Sequence, residues 1–436
     1  MESKVNGRTR TASSPTRRSG LLTLLCIAIG LSIAIPKAGV KVDGIPLTLA
    51  NAGVGLLLIA ALSVFLIGGR TPRNMLVPAI ALMSTYFFLR LALSGANGVA
   101  VVDLAVALVV APLLAIAVLG IVKDEAGWHR VAKWIFVAYW VVLAYAGLQL
   151  LLGSDVVAVP GFTVNLTDYQ AGGSTWYLDK NNAVGSSVKL FSTYQNGNLL
   201  GVNLILLFPI AFMVARRSKL LLLLSFTIVA FLTLSRGVWL GILVTFVIML
   251  LRRARTVRDV LARYSLMLAV LLTVPILFVV APQVLDRFVQ TDFDDWLAAT
   301  GRTQSALDLV QSASTNPFTL IFGPQGIADY VGGAFEITIA AIFEAGGLIG
   351  VALITGVVLI GLQETWAGKS ELSIAIFAGL VAYMITSLVE GAFWLPPTAI
   401  LFWSLLGLGA AIHTAQTLDF GPTARLVSNS ARLHRW

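Results

Sequence analysis

Charged side chains are scarce in this sequence. Aspartate, glutamate, lysine and arginine together make up 12% of its 436 residues, whereas hydrophobic residues make up 58%. Soluble globular domains carry about 25% charged residues, so a soluble fold is excluded. The composition predicts an all-α polytopic membrane protein in which most of the chain forms one membrane domain.

Three other features are missing. Cys26 is the sole cysteine, so no intramolecular disulfide can form. No glycine-rich phosphate loop of the GxxxxGK[ST] type occurs, which argues against the use of ATP. No motif for nucleic-acid recognition occurs either. We therefore assign the net charge of +9 to loops that obey the positive-inside rule, and not to a nucleic-acid partner.

Twelve apolar segments approach the template of about 20 residues that a membrane-spanning helix needs. The seventh and eighth are short and form a tight hairpin around Arg236, and the tenth is expected to tilt or break at Gly346-Gly347. Residues 1–20 and 417–436 are predicted tails, and residues 21–416 form a single transmembrane domain. The predicted spans are 21–36, 46–69, 75–95, 100–122, 134–153, 198–215, 219–235, 236–251, 265–281, 334–361, 372–389 and 397–416.

Lysines and arginines set the predicted orientation. With the N-terminus inside, most of the 30 lysines and arginines fall in inner segments, as the positive-inside rule requires. Both tails are then cytoplasmic. His129, His413 and His434 all lie on the inner side, so the outer face has no imidazole for acid–base chemistry or for a metal site.

Two long segments fall on the predicted outer side, residues 154–197 and 282–333. Loops of this length are usually functional or disordered, and both are too rich in aromatic residues for a solvated linker. In the second, acidic cap residues at Asp292 and an amphipathic stretch over 303–312 indicate helices. We expect residues 282–333 to form a helical lid over the outer mouth.

Three arginines lie at or near the predicted outer face: Arg90, Arg236 and Arg302. A guanidinium cannot be deprotonated, and its burial at a helix centre costs at least about 2.5–3.5 kcal/mol. Arg236, between two apolar runs, therefore indicates function, and its fork suits phosphate oxygens. The alternatives are an ion pair with Asp103 for Arg90, an interfacial anchor for Arg236 and a solvated loop charge for Arg302.

Acidic residues in apolar segments are also candidates. Glu336 faces the predicted outer mouth and is a candidate catalytic base. Glu344 adjoins the glycine pair of the tenth span, where a hydrogen bond to a neighbouring helix would also explain it. Glu390 precedes a Trp-Leu-Pro-Pro run and is also explained as a loop charge.

Four motifs in order resemble the pattern of bacterial O-antigen ligases and O-antigen polymerases. The resemblance covers residues 185–360, and the N-terminal spans match in hydropathy alone. The motifs are the polar run 191–201 that leads to Phe208-Pro209, then Ser235-Arg236-Gly237, then Gly301-Arg302 with Asn316-Pro317, Phe322-Gly323 and Gly326, and finally Phe-Glu-Ala-Gly-Gly-Leu-Ile-Gly over 343–350.

This resemblance implies an integral-membrane glycosyltransferase of the GT-C type in a bacterial inner membrane, with about twelve helices and two long extracytoplasmic loops. Its donor would be an undecaprenyl-pyrophosphate-linked oligosaccharide and its acceptor a glycan, without cofactor or metal ion. Arg236 and Arg302 would grip the pyrophosphate as catalytic residues, and Arg90, Asn198 and Ser235 would help to bind substrate. Membrane lipid, a flippase and a chain-length regulator are the implied partners.

Family ligases place a His-Asn pair ahead of the Gly-Leu-Ile-Gly element, where this sequence has Glu336 and Ile337. This difference favours a polymerase of O-antigen or exopolysaccharide over a ligase that transfers glycan to lipid A-core. A twelve-helix secondary transporter is the alternative from another class. Such transporters often join two six-span halves by a substantial inner loop, and here that link is only residues 216–219. A non-catalytic scaffold for glycan assembly is a third alternative.

The predicted orientation can be tested by labelling introduced cysteines in whole cells or spheroplasts with a membrane-impermeant thiol reagent. Cysteines at Ser174 and Ser314 should react, because both positions lie in outer loops, and a cysteine at Ser370 should not. Labelling at position 370 alone would reverse the topology and place the candidate site on the wrong face.

Overall fold

The computed structural model describes residues 15–43, 45–68, 74–93, 99–178, 182–184, 187–251, 273, 275–289, 311, 316–324, 338–390, 393 and 395–419. Within these ranges, seven helices are long and apolar enough to cross a membrane, and four shorter apolar helices accompany them. The protein is therefore a helical, polytopic membrane protein, as its composition predicts. The number of twelve spans stays a prediction, because the ninth predicted span lies largely outside the described residues.

The described helices follow in chain order. They are α1 (Pro15–Ala34), α2 (Leu49–Gly68), α3 (Leu76–Leu93), α4 (Val99–Ala105), α5 (Ala111–Ile121), α6 (Glu125–Leu152), α7 (Ser154–Val157), α8 (Leu166–Gly172), α9 (Gly197–Val214), α10 (Lys219–Leu232), α11 (Arg236–Leu251), α12 (Pro282–Val289), α13 (Pro317–Phe322), α14 (Thr338–Ala367), α15 (Glu371–Glu390) and α16 (Pro396–Asp419). A π-helical turn, Val106–Val110, joins α4 to α5.

The structure adds short strands that the all-α prediction did not include. Strands β1 (Gly39–Val42) and β2 (Ile45–Thr48) pair antiparallel before α2. The Asp-Gly sequence that follows β1 is typical of a hairpin turn, and Asp43 has a φ of 51°. Strands β3 (Ala183–Val184) and β4 (Ser187–Val188) form a second antiparallel pair. It lies, with α7 and α8, in the first predicted long loop.

Helices α9 and α16 form the centre of the bundle. In their apolar windows 78% and 83% of residues are buried, against 33% in α3. Small residues allow the central helices to approach closely. A Cβ at Gly379 of α15 would overlap the carbonyl oxygen of Leu206 in α9, and one at Gly407 of α16 would overlap that of Ala115 in α5. The core is therefore held by direct backbone-to-backbone packing.

The helices alternate in direction, so the bundle has two ends. One end is named the Arg216 end, where the α5–α6, α9–α10 and α14–α15 connections meet the last turns of α16 around a cleft of about 840 Å³. The other is named the Arg236 end, where α10 ends and α11 begins. Helices α9 and α14 finish at the Arg216 end. Both therefore start at the Arg236 end.

Gly379→Ala should destabilise the protein, because its new methyl group must push α15 away from the α9 backbone. Overpacking of this kind costs about 1–3 kcal/mol, which thermal unfolding of the detergent-solubilised protein would report as a lower melting temperature. Gly356→Ala in α14 is the matched control, because nothing lies within 4 Å of its Cβ position. Equal melting temperatures for the two variants would contradict the close α9–α15 contact.

Candidate functional site

The turn between α10 and α11 carries the Ser-Arg-Gly motif. Leu234 in this turn has a φ of 52°, a left-handed conformation that is uncommon for a residue other than glycine. Ser235 is buried, and its Oγ accepts a hydrogen bond from the backbone N–H of Val238 at 3.4 Å. The strained turn thus leads directly into a helix whose first residue is Arg236.

Arg236 is half-buried, and its Nε is shielded from solvent. As the first residue of α11 it lies where the helix dipole is positive. The permanent charge of the guanidinium adds to this dipole, so the turn presents a concentrated positive charge at the end of the bundle. Such an arrangement favours an anion.

A second positive group lies beside the first turn of α9. Lys189 is 8% exposed, and its Nζ donates to the Oδ1 of Asn198 at 3.0 Å. The side chain of Asn196 caps the same helix, since its Oδ1 accepts from the N–H of Leu199 at 3.0 Å. Asn198, a predicted substrate-binding residue, is therefore held by a buried ammonium group.

The segment that carries Lys189 is attached directly to the α10–α11 turn. The backbone N–H of Leu190 donates to the carbonyl of Leu232 at 2.9 Å. Gly197 is enclosed between these segments: a Cβ there would lie 2.8 Å from the Thr233 carbonyl oxygen and 2.9 Å from the Cβ of Lys189. A glycine is therefore required at position 197.

The side chain of Asn182 organises the loop behind this site. It is completely buried; its Oδ1 accepts from the N–H of Gly197 at 3.1 Å, and its Nδ2 donates to the carbonyls of Tyr177 and Gln195, both at 3.0 Å. Its own carbonyl accepts from the N–H of Lys189 at 2.7 Å. One amide thus fixes the loop on both sides of Lys189.

Helices α9 and α11 run in the same direction and begin side by side. A Cβ at Gly201 would overlap the side chain of Val238, so the two helices touch one turn after their starts. Asn198 and Ser235 each lie three residues before this contact. They consequently occupy the same level of the bundle, next to Arg236. We call the four side chains Lys189, Asn198, Ser235 and Arg236 the donor cluster.

Other members of the polar run before α9 have structural roles. The hydroxyl of Ser192 donates to the carbonyl of Val142 at 2.8 Å, and that of Tyr194 donates to the carbonyl of Ile33 at 3.0 Å. Burial raises the pKa of Tyr194, so this phenol stays neutral. These bonds dock the loop onto α1 and α6 and leave Asn198 as the member of the run within the donor cluster.

Arg90 binds backbone carbonyls. Its Nε donates to Phe322 O at 2.8 Å, and its Nη2 donates to Gly323 O at 3.1 Å and Pro324 O at 2.6 Å. The ion pair with Asp103, one alternative for Arg90, does not form among the described residues. The reason is that the C-terminal carbonyls of α13, which have no partner within their own helix, lie closer. A role in substrate binding stays a prediction for this residue.

Helix α14 is kinked where α13 meets it. Gly347 has a φ of 59° and a ψ of −158° inside the helix, and a Cβ there would overlap the carbonyl oxygen of Ile321. On the other side, the hydroxyl of Tyr86 donates to the carbonyl of Gly346 at 2.6 Å. The break predicted at the glycine pair is therefore present, and α13 fills it.

Glu344 lies one turn before this kink and is 1% exposed. Among the described residues, neither of its carboxylate oxygens has a hydrogen-bond partner. The predicted hydrogen bond to a neighbouring helix is thus not found in this part of the chain. A buried acidic group of this kind is costly in a membrane, so Glu344 remains a candidate for function.

Arg302, Glu336 and most of the predicted lid, including Asp292, lie outside the described residues. The first described residue after Glu336 and Ile337 is Thr338. The Oγ1 of Thr338 donates to the carbonyl of Ser387 at 2.5 Å, at the end of α15.

Helix α15 connects that point to the donor cluster. A Cβ at Gly241 of α11 would overlap the Oγ1 of Thr386 in α15, and the next residue, Ser387, binds Thr338 of α14. Thr386 of α15 therefore contacts α11 one to two turns after Arg236. The adjacent Ser387 contacts the start of α14.

Sequence reasoning missed Lys189 and Asn182. The sequence gives Lys189 no role, since a lysine among polar loop residues is ordinarily solvated. The one available signal was its position two residues before the polar run, next to Leu190-Phe191. Among the described residues no three His, Cys, Asp or Glu side chains lie together as metal ligands would.

A scan against protein-family models finds no match for this chain, and a search of curated proteins finds no significantly similar sequence. The four motifs are consequently the basis for the resemblance to O-antigen ligases and polymerases, and the geometry of the donor cluster is an independent observation.

Arg90→Gln should release α13 from the kink of α14. Bonds from a charged donor contribute about 1.5–3 kcal/mol each, so we expect amide hydrogen exchange in peptides covering residues 316–324 to speed up by about tenfold or more. Arg130→Gln is the control, because this exposed arginine makes a single 3.2 Å bond to Thr23. Unchanged exchange in Arg90→Gln would contradict a clamping role.

Proposed function

We propose that this protein is a glycosyltransferase of the extracytoplasmic face of a bacterial inner membrane, which transfers lipid-diphosphate-linked oligosaccharide units to an acceptor glycan. The observation that supports it is the donor cluster: two cations and two polar side chains at adjacent helix starts. A diphosphate leaving group needs hydrogen-bond donors and positive charge at the membrane level.

In the proposed reaction, an acceptor hydroxyl oxygen attacks the anomeric carbon of the donor sugar. The new glycosidic bond forms as the bond between that carbon and the diphosphate oxygen breaks, and the leaving lipid diphosphate takes the electron pair. Arg236 neutralises the charge that develops on this leaving group, and Arg302 is proposed to assist it. The hydroxyl proton passes to a carboxylate, for which Glu336 is the candidate.

The connection through α15 supports the choice of Glu336. Glu336 precedes Thr338 by two residues in the sequence, and Thr338 binds Ser387 of α15. The neighbouring Thr386 adjoins α11, the helix that begins with Arg236. The segment before α14 that carries the candidate base and the helix α11 that begins with Arg236 thus both adjoin one stretch of α15.

Two reactions of the proposed site, polymerisation and ligation, differ in the identity of the acceptor. A growing polysaccharide chain as acceptor makes the protein a polymerase of O-antigen or exopolysaccharide, which we favour because Glu336 replaces the histidine of ligases. Lipid A-core as acceptor would make it a ligase. The lipid-linked glycans of a deletion strain distinguish them, since loss of a polymerase leaves single repeat units and loss of a ligase leaves full-length chains on the lipid carrier.

Secondary transport is the second candidate, favoured by one observation. Discontinuous helices with a polar group at the break often line transport sites, and α14 is kinked at Gly347 beside the buried Glu344. Purified protein in liposomes would move a labelled oligosaccharide without forming a new glycosidic bond if this candidate is correct. Bond formation without net transport supports the transferase.

Arg236→Lys should be strongly impaired and Arg236→Ala close to inactive in glycan extension. Lysine keeps the charge but loses the bidentate fork, and either change removes on the order of 1–3 kcal/mol or more of charge-assisted bonding. The distribution of glycan chain lengths in cells that carry each variant measures the effect. Arg302→Ala should behave like Arg236→Ala.

Arg287→Ala is the control for these variants, because this cation of α12 lies outside every motif, and we expect it to be tolerated. The amount of each variant in the membrane must match wild type, since a misfolded turn would also abolish activity. Normal chain length in a well-expressed Arg236→Ala strain would leave Arg236 as an interfacial anchor and overturn the proposal.

A further inference from the structure

We propose that the β1–β2 hairpin is a membrane anchor at the Arg236 end. One of its faces, formed by Val40, Val42, Ile45 and Leu47, lies in the lipid at the surface of the bilayer. The hairpin belongs to none of the four motifs, and the contact is independent of the reaction proposed above. Its partner is the bilayer surface itself.

Apolar side chains cover the exposed face of this hairpin. Successive residues of a strand point to opposite faces. Val40 lies opposite Leu47, and Val42 lies opposite Ile45, so the four share one face. Val42 is 50% exposed and Leu47 is 55% exposed. An antiparallel sheet with one face in water turns its polar residues to that face. The pattern here is reversed, which is typical of a surface that meets a membrane or another protein.

The polar residues of the hairpin point to the opposite face. The Nζ of Lys41 lies 2.7 Å from the Oδ1 of Asp168, and the two side chains are 26% and 12% exposed. Thr48 is buried, and its Oγ1 accepts a hydrogen bond from the N–H of Asn51 at 3.1 Å. The charge and the hydroxyl group are therefore turned towards the protein, and the aliphatic side chains are turned away from it.

The backbone of the hairpin is also suited to a place with little water. The hydroxyl of Thr167 accepts from the N–H of Lys41 at 3.0 Å and donates to its carbonyl at 3.2 Å. Pro46, opposite Lys41, has no N–H group, and its carbonyl accepts from the Nδ2 of Asn51 at 3.1 Å. These backbone groups are thus satisfied without water, as backbone at the level of the membrane requires.

The connections of the hairpin favour lipid over a protein partner. Residues 35–38 alone separate it from α1, and α2 begins directly after β2. Four residues span at most about 14 Å, so two apolar helices hold the hairpin at the membrane surface. The exposed stripe of α2 begins two residues after Leu47 and contains Leu49, Leu56 and Ile59, which are 50%, 61% and 69% exposed. The apolar surface therefore continues from the side of α2 into the hairpin.

The anchor holds the loop behind the donor cluster. The N–H of Gly39 in β1 donates to the carbonyl of Gly161 at 2.9 Å. Val164, three residues further on, belongs to one buried apolar cluster with Phe191. Phe191 in turn follows Lys189 of the donor cluster by two residues. A continuous series of contacts thus connects the hairpin to the Arg236 end.

Spin labelling of the full-length protein in lipid nanodiscs tests the inference. Nitroxide labels on Val42→Cys and Leu47→Cys are exposed to molecular oxygen, which partitions into lipid, and to a nickel chelate, which stays in water. We expect both labels to collide more often with oxygen than with the chelate. Thr175→Cys, at an exposed polar residue of the first long loop, is the control and should collide more often with the chelate. Wild type is the blank, because Cys26 is buried.

Two results would overturn the anchor. Labels at positions 42 and 47 that prefer the chelate, as the label at 175 does, would show that this face lies in water. Labels that collide rarely with either reagent would show that protein covers it. Either label is decisive if the other variant has a lowered melting temperature, because the two residues lie on the same face.

Val42→Asp tests the anchor by a second measurement, amide hydrogen exchange in nanodiscs. Removal of one aliphatic side chain from an apolar environment should speed exchange in peptides covering residues 39–48 by about tenfold or more. Val188→Asp is the matched control, because Val188 is a similarly exposed valine of strand β4, at 45%, and should leave exchange in these peptides unchanged. No increase in Val42→Asp, or an equal increase in both variants, would contradict a lipid contact at this face.

Discussion

The hydrogen bond from the N–H of Leu190 to the carbonyl of Leu232 is the contact on which the Arg236 end depends. A helix that ends inside a membrane protein leaves carbonyls without partners, and in an apolar environment each of them is costly. The loop before α9 supplies the missing donor for α10. The same loop places Lys189 and Gly197 next to the α10–α11 turn. The chain then turns at Leu234.

The same requirement explains Arg90. The carbonyls at the end of α13 accept hydrogen bonds from a guanidinium of α3, at the place where α13 meets the kink of α14. An arginine in an apolar helix is therefore ambiguous: it satisfies either a ligand or the protein's own backbone. Arg90 and Arg236 both lie among apolar residues in the sequence. They differ in the structure, because Arg90 lies beside the end of α13, whereas Arg236 is the first residue of α11.

Hydropathy was sufficient to predict the membrane class and the approximate bounds of the described spans, since these depend on local composition. Glycine content likewise predicted the break at Gly347. The strands, the burial of Lys189 and the partners of Arg90 could not be predicted. They depend on contacts between distant segments, such as Arg90 and Phe322, which are 232 residues apart. A charge count treats every lysine in a loop as solvated and cannot register that one is covered by folded chain.

Helix α15 contains no motif, yet it contacts both elements on which the proposed reaction depends. The donor cluster belongs to α9, α11 and the loop before them, whereas the candidate base Glu336 belongs to the segment before α14. Thr386 and Ser387 contact one side each. Because Gly379 holds α15 directly on the α9 backbone, neither side can move relative to the other without displacing this helix. Packing in the bundle core thus holds the starts of α11 and α14 against one helix, and the proposed reaction needs its cation and its candidate base at these two starts.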